Sequence, residues 1–188
     1  MDSDTVAEVF PEADEIDDPD LRGGVLEAWT AACDEGDIDT PEELRALPWL
    51  PPVQRDLDIP ADAERLVPHV RDVTAGAVSL AGALVARRGA DVDTDLLVAG
   101  ALVHDVSKLA EFDGMDPTPV YDLLGHPYWG VHIVAQAGLP VELAHVVLSH
   151  TSRTNVEPAF LEAELVRRAD EAAASAIRLA YLDDLRDA

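Results

Sequence analysis

A histidine and an aspartate directly follow an apolar run, and a lysine follows them at helical spacing. The run Leu96–Val103 holds eight apolar or small residues, and His104 and Asp105 come next, on a helix predicted to run from about Asp93 to Phe112. A helix that is hydrophobic on all sides belongs in the centre of a bundle. Buried charges there need partners. Lys108 lies four residues after His104 and three after Asp105, on the same side of a helix. A metal ion with a bound phosphate would satisfy all three groups.

Lys108 is the only lysine of the chain, and the other twelve basic residues are arginines. Chance is one explanation, because a single lysine has to stand somewhere. Its place beside a histidine and a carboxylate favours a functional role. We therefore interpret Asp105 and Lys108 as the candidate catalytic residues.

Four more side chains of metal-ligand type fall on elements that are expected to be buried. His69 lies on the apolar side of a long helix predicted to end near Gly89. Asp170 interrupts an alanine-rich stripe on the last long helix, where an acid has little structural purpose. His126 introduces one helix and His150 ends the next. Together with the His-Asp pair they predict a metal site.

Each of these residues also has a structural alternative. A single buried histidine such as His69 is usually a hydrogen-bonded core residue. Asp170 could form a salt bridge with a facing arginine, and His126 could cap its helix. His145 competes with His150 for the ligand role. Arg71 and Arg153 could contact substrate anions, although surface salt bridges are the more ordinary interpretation.

The elements that carry these residues are all predicted to be helices. Apolar positions recur at steps of three and four, and no strand-like alternation persists. We expect an all-α helical bundle in residues 61–188. Residues 1–60 are predicted to form a short helical extension packed on that domain, where Thr40-Pro41 is typical of a helix start.

The charge of the chain excludes some partners. The formal net charge is −25, with 38 acidic and 13 basic residues spread along the sequence. The near-absence of lysine favours adaptation to molar salt, and an acidic mesophilic protein is the alternative. Such a surface repels nucleic acids and anionic membranes. We expect a cytoplasmic protein with no internal disulfide, since Cys33 is its only cysteine. A homodimer is compatible with this composition.

With these residues in order, the chain resembles the HD superfamily of metal-dependent phosphohydrolases over roughly residues 62–180. The motif order of that family is H…HD…H…H…D, and many members extend the doublet to HDxxK, which here is residues 104–108. The segments around His69, His126 and His150 are similar to an uncharacterised archaeal and bacterial branch. The His150-Thr151 block is similar to di-metal members that cleave dinucleoside tetraphosphates.

The resemblance implies one or two divalent transition metal ions, which could be iron, manganese, zinc, cobalt or nickel. The implied ligands of the first ion are His69, His104, Asp105 and Asp170. The implied ligands of the second ion are His126, His150 and again Asp105, as a bridge. Without His126 and His150 the site would hold a single ion, as in some members of the family.

The implied function is hydrolysis of a phosphate ester or anhydride by a metal-activated hydroxide. The substrate would be a nucleotide or another small phosphorylated metabolite. Two alternatives stay open. The same ligand order occurs in HD-type di-iron oxygenases, and a non-catalytic metal- or ligand-binding signalling module is the second alternative.

Overall fold

The computed structural model describes residues 1–187, and the regular structure of this part of the chain is almost entirely helical. The prediction of an all-α fold is confirmed. The α-helices are α1 (Ser3–Val9), α2 (Pro19–Glu35), α3 (Pro41–Ala46), α4 (Pro51–Asp56), α5 (Leu66–Arg88), α6 (Thr94–Val103), α7 (Lys108–Glu111), α8 (Pro119–Leu123), α9 (His126–Gln136), α10 (Val141–Ser149) and α11 (Leu161–Leu179). Short 3₁₀ helices cover Pro11–Glu15 and Leu185–Asp187. Two-residue strands β1 (Phe112–Asp113) and β2 (Asp116–Pro117) pair as a small antiparallel hairpin.

Helix α6 is the central element, as its unbroken apolar sequence predicts. Every residue from Leu97 to Val103 is buried, and the helix packs against α2, α5, α10 and α11. The side chain of Asp93 caps its first turn by accepting a hydrogen bond from the amide of Leu96. At its other end, the indole Nε1 of Trp29 donates to the carbonyl of Leu102 at 3.0 Å. These contacts fix the end of the helix from which His104 follows.

The predicted continuous helix from about Asp93 to Phe112 is wrong in its middle. Helix α6 ends at Val103, and residues 104–107 form turns before α7 begins. The ring Nδ1 of His104 lies 2.6 Å from the carbonyl of Ala101, an acceptor that a continuing α-helix would use for its backbone. The following amides instead bond to carbonyls three residues back, for example Lys108 to Asp105.

Helices α5 and α11 pack side by side and carry the first and last of the predicted ligands. Their contact is close because small residues face each other, and a Cβ at Gly76 would lie 3.3 Å from that of Ala169. Val73, Ala77 and Val166 complete this part of the core with residues of α6. The packing therefore brings His69 and Asp170 to the same side of the bundle as the end of α6.

Residues on both sides of position 60 contribute to one hydrophobic core. Val6, Phe10 and Ile16 are buried together with residues of α6, α9 and α10. Cys33 is also buried there, and burial raises the pKa of its thiol to about 12, in agreement with a packing role. The division into an extension of residues 1–60 and a domain of residues 61–188 stays a prediction.

None of the helices within residues 1–187 combines the length and the apolar character that crossing a lipid bilayer requires.

Candidate metal centre

Four of the predicted ligands meet where α5, α6 and α11 come together. Nε2 of His69 lies 3.1 Å from Oδ1 of Asp170 and 3.5 Å from Oδ2 of Asp105. Nε2 of His104 lies 3.3 Å from Oδ2 of Asp105 and 4.0 Å from Oδ1 of Asp170. One ligand atom from each of His69, His104 and Asp170, a ring nitrogen or a carboxylate oxygen, lies within 4.8 Å of the other two. The salt bridge to an arginine that was the alternative for Asp170 does not occur among the described residues.

The other oxygen of Asp105 faces a second group of histidines. Oδ1 of Asp105 lies 3.8 Å from Nε2 of His126 and 3.7 Å from Nε2 of His150. All three residues are buried, and their ligand atoms also lie within 4.8 Å of one another. The two carboxylate oxygens of Asp105 thus point to two different ligand groups, which is the arrangement a bridging carboxylate needs.

Two of the histidines are oriented by the backbone of their own helices. Nδ1 of His104 lies 2.6 Å from the carbonyl oxygen of Ala101, and Nδ1 of His150 lies 2.8 Å from that of Val147. A carbonyl oxygen can only accept, so Nδ1 carries the proton in both rings. Nε2 then presents a lone pair to the carboxylate oxygens. Facing lone pairs repel unless a cation lies between them.

His126 is held by a different set of contacts at the start of α9. Gly125 precedes it with φ +75°, a backbone conformation that glycine adopts easily. Oγ of Ser107 donates to the carbonyl of His126 at 2.7 Å. Nδ1 of His126 lies 3.5 Å from Oε2 of Glu111, a completely buried carboxylate. Sequence reasoning missed Glu111, whose one signal was its position seven residues after His104, on the same side of the continuous helix that was predicted there.

The electrostatics of the centre favour an anionic Asp105 and a neutral His150, while His104 is drawn towards the protonated form by Asp105. Burial opposes ionisation of Asp105, but the Lys108 ammonium and His104 outweigh it and hold the pKa of the carboxyl well below its usual range. Burial lowers the pKa of His104, but the negative charge of Asp105 outweighs it, so that this pKa is raised. Burial, aided by His104 and His126, lowers the pKa of His150 to about 3. The centre attracts positive charge to the space beside Asp105.

Lys108 lies against the same carboxylate. Its Nζ is 2.6 Å from Oδ2 of Asp105, and only 6% of its side chain is exposed. The spacing of three residues along the chain therefore brings the two groups together, as the sequence predicted. A buried ammonium at this position can also contact an anion bound beside Asp105.

The donor set fits a divalent transition metal. Imidazole nitrogens and carboxylate oxygens are its ordinary ligands, and ligand atoms about 2.0–2.2 Å from one ion lie roughly 3–3.5 Å apart. The separations of 3.1–3.5 Å around His69 match this range. The Nε2 atoms of His69 and His104 are buried without a hydrogen-bond partner in the described part of the chain. A bound metal ion would supply the missing partner of both. The ligand assignment itself stays a prediction.

A pocket of about 210 Å³ leads to this centre and is shared by distant parts of the chain. Asp105, Lys108 and the two histidines of the second group form its inner end. Asp170 reaches the pocket from the first ligand group, and the rest of the lining is Trp49, Leu50, Val53, Thr151, Ser152, Arg153, Ala174 and Arg178. Residues 49–53 belong to the predicted N-terminal extension, which therefore contributes a wall of the site. No pattern in the sequence indicated this role for Trp49 or Arg178.

The remaining candidates lie elsewhere. Nε of Arg71 donates to Oε1 of Glu12 at 2.7 Å, and the two residues form an ordinary surface salt bridge. Nε2 of His145 accepts a hydrogen bond from the amide of Ala159 at 3.0 Å, so it does not take the place of His150. His132 is exposed.

Comparison with known proteins agrees with this geometry. Residues 67–175, more than half of the chain, match the family model described as HD domain. The dihydroneopterin 2',3'-cyclic phosphate phosphodiesterase of Methanocaldococcus jannaschii is 32% identical over 113 residues, which are 57% of this chain and 45% of that relative. The chain thus spans less than half the length of the relative that it matches. No solved structure shows a significant match. The ligand order along the sequence, the helical fold and the family match agree, and the chain belongs to the HD domain family.

Proposed function

We propose that the chain is a metal-dependent phosphohydrolase that cleaves a phosphate ester or anhydride. The observation that carries the proposal is the position of Asp105. Its two oxygens face two separate groups of ligand atoms, and Lys108 lies 2.6 Å from one of them. The name of the Methanocaldococcus jannaschii relative describes cleavage of a cyclic phosphate ester, which supports the same class of reaction.

One or two divalent transition metal ions, held by His69, His104, Asp105, His126, His150 and Asp170, would lower the pKa of water and offset charge on the phosphoryl group. Asp105 would serve both ions. Lys108 would donate to a phosphoryl oxygen in the transition state, where a preorganised cation contributes most. The backbone contacts of His104 and His150 keep their Nε2 atoms aimed at the centre. The buried walls exclude bulk water, which strengthens each of these interactions.

The substrate that we propose is a nucleotide or another small phosphorylated metabolite. A pocket of about 210 Å³ is smaller than the roughly 300–1,000 Å³ of sites that enclose a drug-sized ligand. It therefore accommodates the reacting phosphoryl group, and the rest of the substrate lies at the entrance.

The test combines metal analysis with a hydrolysis screen on the purified chain. The panel contains an aryl phosphate monoester, 2',3'-cyclic nucleotides and nucleoside triphosphates, each assayed after loading with manganese, zinc or iron. We expect metal-dependent product release, and its loss in Asp105→Asn. Oxygen uptake by the iron-loaded chain, without hydrolysis of any phosphate substrate, would contradict the proposal and indicate an oxygenase. Metal binding without turnover of any substrate would instead favour a non-catalytic module.

We further propose a cytoplasmic protein that functions at high salt and binds neither nucleic acid nor membranes. The support is the net charge of −25, because a dense carboxylate surface repels polyanions. A homodimer stays a prediction.

A further inference from the structure

Two arginines at the entrance of the pocket are held by aromatic rings. The guanidinium of Arg178 lies over the ring of Trp49, 5.6 Å from its centroid. The guanidinium of Arg153 lies 5.1 Å from the centroid of Tyr121 and donates to its hydroxyl at 3.1 Å. Stacking of this kind orients a guanidinium and leaves its charge intact.

These two arginines have no carboxylate partner in the described part of the chain. Arginine ion pairs do occur there, and they use Arg55, Arg71, Arg167, Arg168 and Arg186. Other arginines also lack a carboxylate partner in the described residues, but Arg153 and Arg178 are the two that line the pocket, where they add to the charge of Lys108 in a chain with 38 acidic residues. Guanidinium groups bind phosphate through paired donors, so a phosphate is the natural partner for both.

The cations of the site lie at two depths. Lys108 is buried at the inner end, beside Asp105. Arg153 is exposed and Arg178 half-buried at the entrance, on the loop after α10 and in the last turn of α11. A ligand that contacts the cations at both depths carries one anionic group beside Lys108 and a second one beside the two arginines.

We propose that Arg153 and Arg178 bind a second phosphate of the substrate, so that the site selects compounds with two linked phosphoryl groups over monophosphates. This inference rests on the proposed function. Trp49 is the positioning residue for Arg178, and its ring also contacts that of His69 at a centroid distance of 5.4 Å. Trp49, from the N-terminal segment, would thereby contact both an arginine that selects the substrate and a predicted metal ligand.

The experiment measures binding rather than turnover. Methylenediphosphonate and methylphosphonate, which resist hydrolysis, are titrated calorimetrically into the metal-loaded chain at one fixed salt concentration. We expect the diphosphonate to bind at least about tenfold more tightly, since each charge-assisted contact contributes about that factor. Arg153→Ala and Arg178→Ala should each weaken diphosphonate binding about tenfold and leave methylphosphonate binding nearly unchanged.

Arg178→Lys keeps the charge but loses the stacked, forked geometry, and we expect it to behave closer to alanine than to arginine. Arg87→Ala is the matched control, because Arg87 is exposed in the last turn of α5, away from the pocket. Thermal unfolding of each variant verifies its fold.

Equal affinity for the two phosphonates, or unchanged diphosphonate binding in both alanine variants, would overturn this inference while leaving phosphohydrolase activity intact. Failure of the proposed function is distinct, because it appears as absent turnover in the hydrolysis screen whatever the titrations show.

Discussion

The carboxylate of Glu111 lies 3.5 Å from Nδ1 of His126, on the side of the ring opposite to the metal centre. Glu111 is fully buried, and neither of its oxygens has a hydrogen-bond partner in the described part of the chain. A buried carboxylate beside the outer nitrogen of a ligand histidine fixes the tautomer and raises the basicity of the inner nitrogen. We therefore predict that Glu111 acts on the centre through His126, by accepting a hydrogen bond from Nδ1 when this 3.5 Å contact shortens.

Replacing Glu111 by glutamine should weaken metal binding by about 10- to 100-fold, because His126 loses its orienting charge. Calorimetric titration of the metal-free protein with zinc or manganese measures the effect. Asp113→Asn is the control, since it removes an exposed carboxylate two residues away. Equal metal affinity in Glu111→Gln and the wild type would show that Glu111 does not support this ligand.

Lys108→Ala should separate metal binding from catalysis. Lys108 contacts Asp105 but is no ligand, so the variant should retain its metal content. Loss of a cation that stabilises the phosphoryl oxygens should lower kcat/KM by about 10²- to 10³-fold. Metal analysis and steady-state kinetics are compared with Asp105→Asn, which should lose metal and activity together. Full activity in Lys108→Ala would remove its proposed phosphate contact.

Gly130→Ala should destabilise the packing of α9 on α10. A Cβ at Gly130 would lie 2.6 Å from Cγ1 of Val147 and 3.3 Å from Oγ of Ser107, whose hydroxyl holds the backbone of His126. Overpacking of this kind costs about 1–3 kcal/mol of unfolding free energy. Gly82→Ala is the matched control in a helix, because a Cβ there meets nothing within 4 Å. It should stabilise the chain by about 0.5–1 kcal/mol.

Urea denaturation of both variants, with metal chelated and salt held constant, gives the two free energies. A Gly130→Ala variant as stable as Gly82→Ala would show that this close approach is not needed.

The thermal stability of the chain should rise with salt. A net charge of −25 opposes the compact state by self-repulsion. Screening shortens the Debye length from about 8 Å at physiological ionic strength to about 3 Å at 1 M. The Tm of the wild type is measured in potassium chloride from about 0.1 to 2 M, with sucrose as an uncharged comparison. A Tm that does not change over this range would contradict adaptation to high salt.

Local patterns of the sequence were sufficient for the fold class and for the family. The apolar run of residues 96–103 predicts a central helix because no polar residue interrupts it. The spacing of three residues predicts the contact between Asp105 and Lys108, although the structure makes it across a turn in which the amide of Lys108 donates to the carbonyl of Asp105 and not along a continuous helix. The HD motif order identified the family, and the match over residues 67–175 confirms it.

The first twenty residues show where local patterns fail. They are acidic and carry two prolines, yet Val6, Phe10 and Ile16 are buried in the core. Their apolar residues are too few and too widely spaced to show a periodic stripe. They are buried because α2 and α6 provide a surface for them, which the composition of the segment does not reveal.

The sequence by itself determined which side chains could hold a metal and that helices would carry them. Only the tertiary structure decided that Glu111 lies beside His126, that Trp49 forms part of the pocket wall, and that Arg178 also lines the pocket. Periodicity reports the neighbours of a residue within one helix. Contacts between helices that are far apart in the chain depend on how the whole core packs. Whether a buried charge there is stabilised depends on the partners that this packing brings next to it.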